Sequence, residues 1–413
     1  MLTPEEAVMI ALKNNYDIII AKNDAQIAKI NDNKAAAGMY PKINISTSDV
    51  LNIYNINQKF TTGQEVKKNW VPINAFNIGA MLNWTVFDGY KMFATKDRLA
   101  ALASLGELQV KNQLQNTVAQ VLNAYYEIVR QKQYLRATTE LSNISLERVI
   151  LSQKKYDVGY SDKTPLLQAK MDYNTQQINI IKQETQLKQA KVALNQILGS
   201  NTEDDYDVID SIAVDYKPEL PALKEQSLSA NYGILTAQKN IEIAKLQHKE
   251  IYAQKLPLIN LTSGYVYAQN NSKAGLQLFN RSYGPTIGFN ASVPIFDAGL
   301  SKKQLQASSV NIINKANFLE QTKQKINANL LTAFNNFENA QKVMKLNEEN
   351  VQVAQENVQI SLERYRLNQA TSLEMKQAQS SYEDALYSVI LAKFNAKIAE
   401  IDLKRISNGL EGL

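Results

Sequence analysis
The sequence predicts a mainly α-helical protein built from two copies of one unit, each interrupted by a pair of β-strands. Three observations predict it: residues from about 5 to 200 recur from about 221 to 408, long stretches keep a 3-4 apolar spacing, and four segments switch to strict alternation. The recurrence is residue-level in places. Asn15-Tyr16, Ala21, Ile27, Lys29 and Pro41 match Asn231-Tyr232, Ala237, Ile243, Lys245 and Pro257 at one constant offset. Beyond the alternating segments the offset shortens, and Phe87-Asp88, Tyr156, Ala169, Tyr173 and Leu194 match Phe296-Asp297, Tyr365, Ala378, Tyr382 and Leu403. The domain reading is therefore a first repeat over 1–199 with a strand pair at 42–87, an acidic linker over 200–220, and a second repeat over 221–413 with a strand pair at 258–296.

Each repeat opens with a half-length helix, about Glu5 to Met39 and Ala222 to Lys255, the first capped by Thr3 with Pro4 in its first turn. Strands follow. Ile43 and Ile45 alternate with Asn44 and Ser46, and Phe76, Ile78, Ala80, Leu82, Trp84 and Val86 alternate with Asn, Gly, Met and Thr. In the second repeat Ile259, Leu261, Tyr265 and Tyr267 alternate with polar or small residues, as do Ile287, Phe289, Ala291, Val293 and Ile295 with Gly288, Asn290, Ser292 and Pro294. Between paired strands, Asn55 to Pro72 and Asn270 to Ser282 read as polar hairpin loops, in which Trp70 has no evident role.

A very long helix comes next, from Lys91 to about Tyr156, with a coiled-coil-like seam at Leu114, Val118, Val121, Tyr125 and Ile128. Leu330, Phe334, Phe337 and Met344 repeat the seam. About 65 residues of helix at roughly 1.5 Å each would reach roughly 100 Å, longer than an ordinary globular core. Shorter helices, Thr164 to about Leu198 and Ser372 to about Ile406, close each repeat. The acidic stretch Gly199 to Leu220 is expected as an irregular belt on the outside, halfway along, the alternative being a disordered linker.

Composition excludes several classes. The 413 residues hold no cysteine, so no disulfide framework, thiolate metal site or lipid anchor on a cysteine is expected. The net charge of +5 is dispersed among acids along the helices, which gives nucleic-acid binding no support. No run of about eighteen apolar residues could form a spanning helix. No signal peptide is visible, and the sequence is read as a mature chain or one whose leader is replaced by Met1. Enzymatic chemistry is not expected, nor any cofactor or metal. His248 is the only histidine and reads as a surface residue, while Asp204-Asp205 and Glu348-Glu349 are sequence neighbours that point apart.

Strands with one apolar and one uncharged polar face fit either a half-buried sheet or a barrel wall with lipid outside and water inside. Trp84, Phe87 and Phe296 lie at one end and Tyr265, Tyr267 and Tyr283 towards the other, as aromatic girdles would. If the strands cross a membrane, four cannot close a barrel, because bacterial barrels start at about eight and an open edge in lipid leaves backbone groups unpaired. Two chains would close a barrel of about eight strands, whose interior side chains fill. Three would supply twelve. A non-channel coiled-coil structural or tethering protein is the rival reading, but it leaves the strands without purpose.

WTVFDG at 84–89 and VPIFDAG at 293–299, each leaving a strand for a very long helix, with Pro41 and Pro257 at the opposite crossings, resemble the TolC-like outer-membrane efflux protein family. The resemblance covers essentially the whole chain, duplication included. It implies a mainly α homotrimer that completes a twelve-stranded membrane β-barrel above a long α-helical barrel. It also implies an outer-membrane location in a Gram-negative cell, with most of the chain in the periplasm. The implied function is a duct for tripartite efflux or type I secretion, partnered by outer-membrane lipid, a periplasmic adaptor and, through it, an inner-membrane pump. On chemistry alone, Asp88-Gly89 and Asp297-Ala298-Gly299 supply a capping carboxylate and permissive backbone, and Phe87, Pro294 and Phe296 flank them. The family's tip turns correspond to Tyr156, Val158 and Gly159, and to Tyr365, Leu367 and Asn368, which the resemblance makes adaptor contacts. Glu374 stands where the family's first entrance acid would be, although Gln377, Pro165 and Gln168 replace the others. It is thereby the expected periplasmic gate.

Overall fold
A computed structural model describes residues 1–274 and 277–410. In chain order the elements are α1 (Pro4–Asn14), α2 (Tyr16–Asn31), β1 (Lys42–Lys59), β2 (Glu65–Asp88), α3 (Lys91–Asp157), α4 (Lys163–Leu198), α5 (Leu220–Ala230), α6 (Tyr232–Ala253), β3 (Leu258–Ser272), β4 (Phe279–Ser292), α7 (Leu300–Arg366) and α8 (Ser372–Ile406). Among the described residues no helix is long and apolar enough to cross a membrane. The chain divides into two compact units that each draw on both repeats: a helical one from 1–25, 106–237 and 318 onward, and a second from 26–105 and 238–317 that contains the strands.

In the helical unit most of the expected seam is core, while Leu114 and Met344 are only half-buried and outside it. Val118, Val121, Tyr125 and Ile128 pack with Ala7, Val8, Ala11, Leu194 and Leu198, and Leu330 and Phe337 pack with Leu223, Leu403 and Ile406. Each of the Val, Leu, Ile and Phe side chains, once withdrawn from water, contributes about 1.5–3 kcal/mol. The acidic segment 199–219 is ordered against this core. Val208 and Ile212 are buried in it, Leu2 forms an isolated bridge to Val208, and the Tyr125 hydroxyl donates to Leu2 O at 2.8 Å while accepting from Ile209 N at 3.2 Å. Asp205, Asp207 and Asp210 turn outward to Lys191, Lys132 and Arg136.

The first helix of each repeat is broken where the sequence reads as continuous. Asn15 and Asn231 leave helical geometry between α1 and α2 and between α5 and α6. The first run also stops at Asn31 instead of Met39, because Asn33 caps a separate turn by accepting from Ala36 N at 2.8 Å.

The second unit holds one antiparallel sheet in the order β1-β2-β3-β4. Its hairpins are longer than expected. β1 runs to Lys59 and β2 starts at Glu65, so most of the supposed 55–72 loop is ladder, and β3 and β4 likewise take residues from the 270–282 loop. Gly275 and Leu276 of that loop lie outside the described residues. Trp70 sits at the register shift of the first hairpin with φ 57°, its N–H donating to Asn55 Oδ1 at 3.0 Å. In the other direction β4 is shorter than expected and ends at Ser292, before Val293, Pro294, Ile295 and Phe296. The last pair of the β3-β4 ladder is Leu258↔Ser292, and an edge strand has no second neighbour to extend it. Below the sheet, Ala101, Ile243 and Leu246 pack together, and Lys96-Asp32 and Arg98-Glu250 pair charges.

Candidate functional site
The sheet separates its chemistry by face. Cross-strand rows Ile43-Leu82-Ser263-Ile287, Ile45-Ala80-Tyr265-Pro285 and Thr47-Ile78-Tyr267-Tyr283 share one side with Trp84-Leu261-Phe289 and Phe87-Ile259-Ala291. The other side carries Asn44-Met81-Gly264-Thr286, Ser46-Gly79-Val266-Gly284 and Ser48-Asn77-Ala268-Ser282. The apolar side is not covered by the chain: Ile287 is 81 % exposed, and Ile43, Ile45, Tyr283 and Phe289 are exposed too. Its next row upward, Asp49-Phe76-Gln269-Arg281, is charged. From Ile78 to Phe87 the band covers roughly 30 Å of strand at about 3.3 Å per residue. At a barrel tilt of about 40° this is close to the ~25 Å apolar band of outer-membrane strands. Aromatic residues mark both limits, Trp84 and Phe87 below and Tyr267 and Tyr283 above.

Both outer strands, β1 and β4, are unpaired on their free side. Exposed apolar face and free edges together are what a segment of a larger barrel requires, since lipid offers no hydrogen bonds.

The crossings are built as the motifs suggest. Asp88 accepts from Met92 N at 2.9 and 3.1 Å, and Asp297 accepts from Gly299 N at 3.0 Å and Ser301 N at 2.9 Å, so each carboxylate caps the helix that follows. Gly89 has φ +71°, and a Cβ there would lie 2.5 Å from Ala253 O and 2.6 Å from Leu256 Cβ. Gly299 has φ +80° with nothing within 4 Å. The inner crossing is closed by α6, and the outer one is open. Pro41 and Pro257 each stand directly before a strand, ahead of β1 and β3. Ile295 is 96 % exposed and Phe296 is exposed beside it.

At the helical tips the two turns share one hydrogen-bond pattern. Gly159 N donates to Tyr156 O at 3.0 Å and Tyr160 N to Lys155 O at 2.9 Å; Asn368 N donates to Tyr365 O at 3.3 Å and Gln369 N to Arg364 O at 2.7 Å. Gly159 and Asn368 take the left-handed position, φ 71° and 62°. Tyr156, Val158, Leu367 and Asn368 are exposed with Gly159, but Tyr365 is not. Only 4 % exposed, it packs with Leu141, Val358, Met375 and Tyr382, and its hydroxyl meets Ser152 Oγ at 2.8 Å. Lys155 Nζ donates to its carbonyl and lies 3.6 Å from its ring centroid. Tyr365 is therefore corrected from a surface contact to a core residue, because α7 turns it towards α3. Tyr160, in the first of the two turns, is exposed at the tip instead. Beside it a groove of about 830 Å³ is lined by Leu151, Lys154, Lys155, Val158, Tyr160 and Arg366.

Glu374 is the third residue of α8 and closes a capping box with Thr371. Thr371 N donates to Oε2 at 2.6 Å, and Glu374 N donates to Thr371 Oγ1 at 3.2 Å. The Thr371 N–H, and then its hydroxyl, hold the carboxyl below the usual range.

Sequence reasoning also missed a charge cluster built around one buried arginine. Arg148, 1 % exposed, donates to Asp172 and, at 3.1 Å, to Gln379 Oε1, while Lys376 Nζ donates to Asp172 Oδ1 at 3.0 Å. The four residues come from α3, α4 and α8, so no local spacing announces them. His248, read as a surface residue, is half-buried with Nδ1 2.7 Å from Ser308 Oγ.

A four-stranded sheet with one exposed apolar face and free edges, in a chain that also forms two helices of 67 residues, fits an outer-membrane channel protein. The chain belongs to the outer membrane efflux protein family, whose model matches it twice, over residues 8–200 and 223–409. It is 22 % identical over 401 residues to the outer membrane efflux protein BepC of Brucella suis biovar 1 (strain 1330), spanning 96 % of this chain and 83 % of that one. To the outer membrane protein TolC of Escherichia coli (strain K12) it is 20 % identical over 379 residues, 88 % and 76 % of the two chains. The outer-membrane channel OprN has the same fold at a TM-score of 0.80 and 15 % identity, covering 98 % of this chain and 90 % of that one. So does the CmeC outer membrane channel of Campylobacter jejuni, at 0.80 and 17 %, covering 98 % and 85 %. The protein is an efflux channel of the outer membrane, in a family of transport channels and not of enzymes.

Proposed function
We propose that three copies pool their sheets into a twelve-stranded barrel and act as the outer-membrane duct of a tripartite efflux assembly. The observation that carries this is the pair of free edges, β1 and β4, on a four-stranded sheet with an exposed apolar band. Two copies would close a barrel of about eight strands, filled by its own side chains, whereas twelve leave room for a lumen. The polar face, rich in Asn, Ser, Gly and Thr, becomes its lining.

Val158, Tyr160 and Leu367, apolar and exposed at the turns, are the docking surface for a periplasmic adaptor that links the duct to an inner-membrane pump. Tyr156, Gly159 and Asn368 shape the same turns. Glu374 takes a second role at the periplasmic entrance. Its hydrogen bonds with Thr371 use Oε2, so Oε1 is left for a cation, and threefold symmetry would set about three such carboxylates together.

The test is native mass spectrometry of detergent-extracted protein, with planar-bilayer recording and adaptor pull-down. A trimer that conducts, and that loses its adaptor in Val158→Asp and Leu367→Asp, is the expected result. A monomer extracted without detergent overturns the reading.

A further inference from the structure
Just below the sheet, a cavity of about 370 Å³ opens between the start of α3 and the end of α6, lined by Tyr90, Phe93 and Asp97 from one helix and Lys249 and Tyr252 from the other. Its size falls within the roughly 300–1,000 Å³ range of small-ligand sites. It adjoins the apolar face of the sheet. Phe87, in the lowest row of the apolar face, meets Tyr90 edge-on at 5.3 Å between centroids, and Tyr90 lies 6.1 Å from Phe93, so the apolar face runs without interruption into the cavity. Gly89 and Leu256, beside the two crossings, form its roof.

The charges are arranged unusually. Lys96 and Arg98 on α3 are both paired, with Asp32 and Glu250. Asp97 and Lys249, the sequence neighbours of Arg98 and Glu250, form no ion pair with each other or with anything else among the described residues, and both border the cavity. A free carboxylate and a free ammonium on two helices, lining one cavity with exposed aromatic rings, match a ligand that carries both charges.

We propose that this cavity binds the headgroup of an aminophospholipid, phosphoethanolamine, from the periplasmic leaflet of the outer membrane. The phosphate is held by Lys249 Nζ through a charge-assisted hydrogen bond. The ammonium is held by Asp97 and by the faces of Tyr90, Phe93 and Tyr252, which attract cations. The acyl chains then lie against Phe87 and the apolar rows above it. The site would fix the depth at which the crossings meet the lipid surface. The proposal rests on the membrane placement of the sheet, and on nothing at the helical tips.

The experiment reconstitutes the full-length protein into vesicles of phosphatidylethanolamine and phosphatidylglycerol, checks insertion by flotation, and counts retained lipid by native mass spectrometry. Phosphatidylethanolamine is expected to be retained about tenfold over phosphatidylglycerol, and Lys249→Gln and Asp97→Asn each to lower that retention roughly fivefold, from the loss of one charge-assisted contact. Lys249→Arg should restore it, and all variants should float with the vesicles. Equal retention of the two lipids, or unchanged retention in both charge-removing variants, overturns the headgroup site while leaving the membrane placement intact. Failure of the wild-type protein to float overturns the placement and the site with it.

Discussion
Asn15 and Asn231 do the same work in the two repeats. Each breaks a helix at nearly identical dihedrals, φ −63° with ψ 127° and 124°. Each turns Nδ2 to a carbonyl near the end of its repeat's last helix, Ile197 O at 2.7 Å and Ile406 O at 3.1 Å. Each also uses Oδ1 to cap the next helix, accepting from Ile18 N at 3.1 Å and Gly233 N at 2.9 Å. One amide thus bends the chain and ties the bend to a distant helix end. Asn15→Ala removes both bonds from a buried site and is expected to lower stability by about 2 kcal/mol. Asn231→Ala, at a partly exposed site, should cost less. Denaturant unfolding in detergent, followed by circular dichroism, compares the two.

Gly89 and Gly299 close matching motifs but face different surroundings. Gly89→Ala forces a Cβ into Ala253 O and Leu256 as well as straining the backbone, whereas within one chain Gly299→Ala meets only the strain of positive φ, about 1–2 kcal/mol. The yield of membrane-inserted protein should therefore fall sharply for Gly89→Ala and slightly for Gly299→Ala. If another copy packs at the open crossing, Gly299→Ala should additionally reduce the assembled fraction at equal total protein.

Asp172 gives the helical unit an acid-sensitive tie. Burial disfavours its charge, but Lys376, Arg148 and Gln168 outweigh that and hold its carboxyl below the usual value. The folded state thus favours the ionised form. This contribution is complete above the unfolded value, about 3.9, and is lost as pH falls through the lower folded one. Asp172→Asn leaves the buried Arg148 guanidinium with only Gln379 and is expected to cost roughly 3 kcal/mol. It should also flatten the fall of unfolding temperature with acid that wild-type protein shows below about pH 4.

Glu374 combines a local and a proposed role that different substitutions separate. Glu374→Ala removes the reciprocal half of the capping box and is expected to lower the stability of α8. Glu374→Gln can keep the bond from Thr371 N but loses the charge, so stability should hold while block by divalent cations in a planar bilayer weakens. Because the Thr371 N–H and hydroxyl keep the carboxyl below its ordinary range, block in the wild type should persist as pH is lowered through the ordinary glutamate value of about 4.3. Unchanged block in Glu374→Gln would remove it from the entrance.

The sequence by itself determined the duplication, the seam of Val121, Tyr125 and Ile128, the alternating faces of the strands and the capping aspartates at 88 and 297. All of these depend on period or on neighbours a few residues apart, which are fixed by backbone geometry. Tertiary structure alone decided where the ladders stop: β4 ends at Ser292, whose partner Leu258 is the first residue of β3. It also decided that Tyr365 turns inward while Tyr160 stays exposed, and that Arg148 reaches Asp172 and Gln379 on two other helices. The cavity of Tyr90, Asp97 and Lys249 likewise exists only where the start of one helix passes the end of another. Such features follow from the register between elements far apart in the chain, and local spacing carries no record of it.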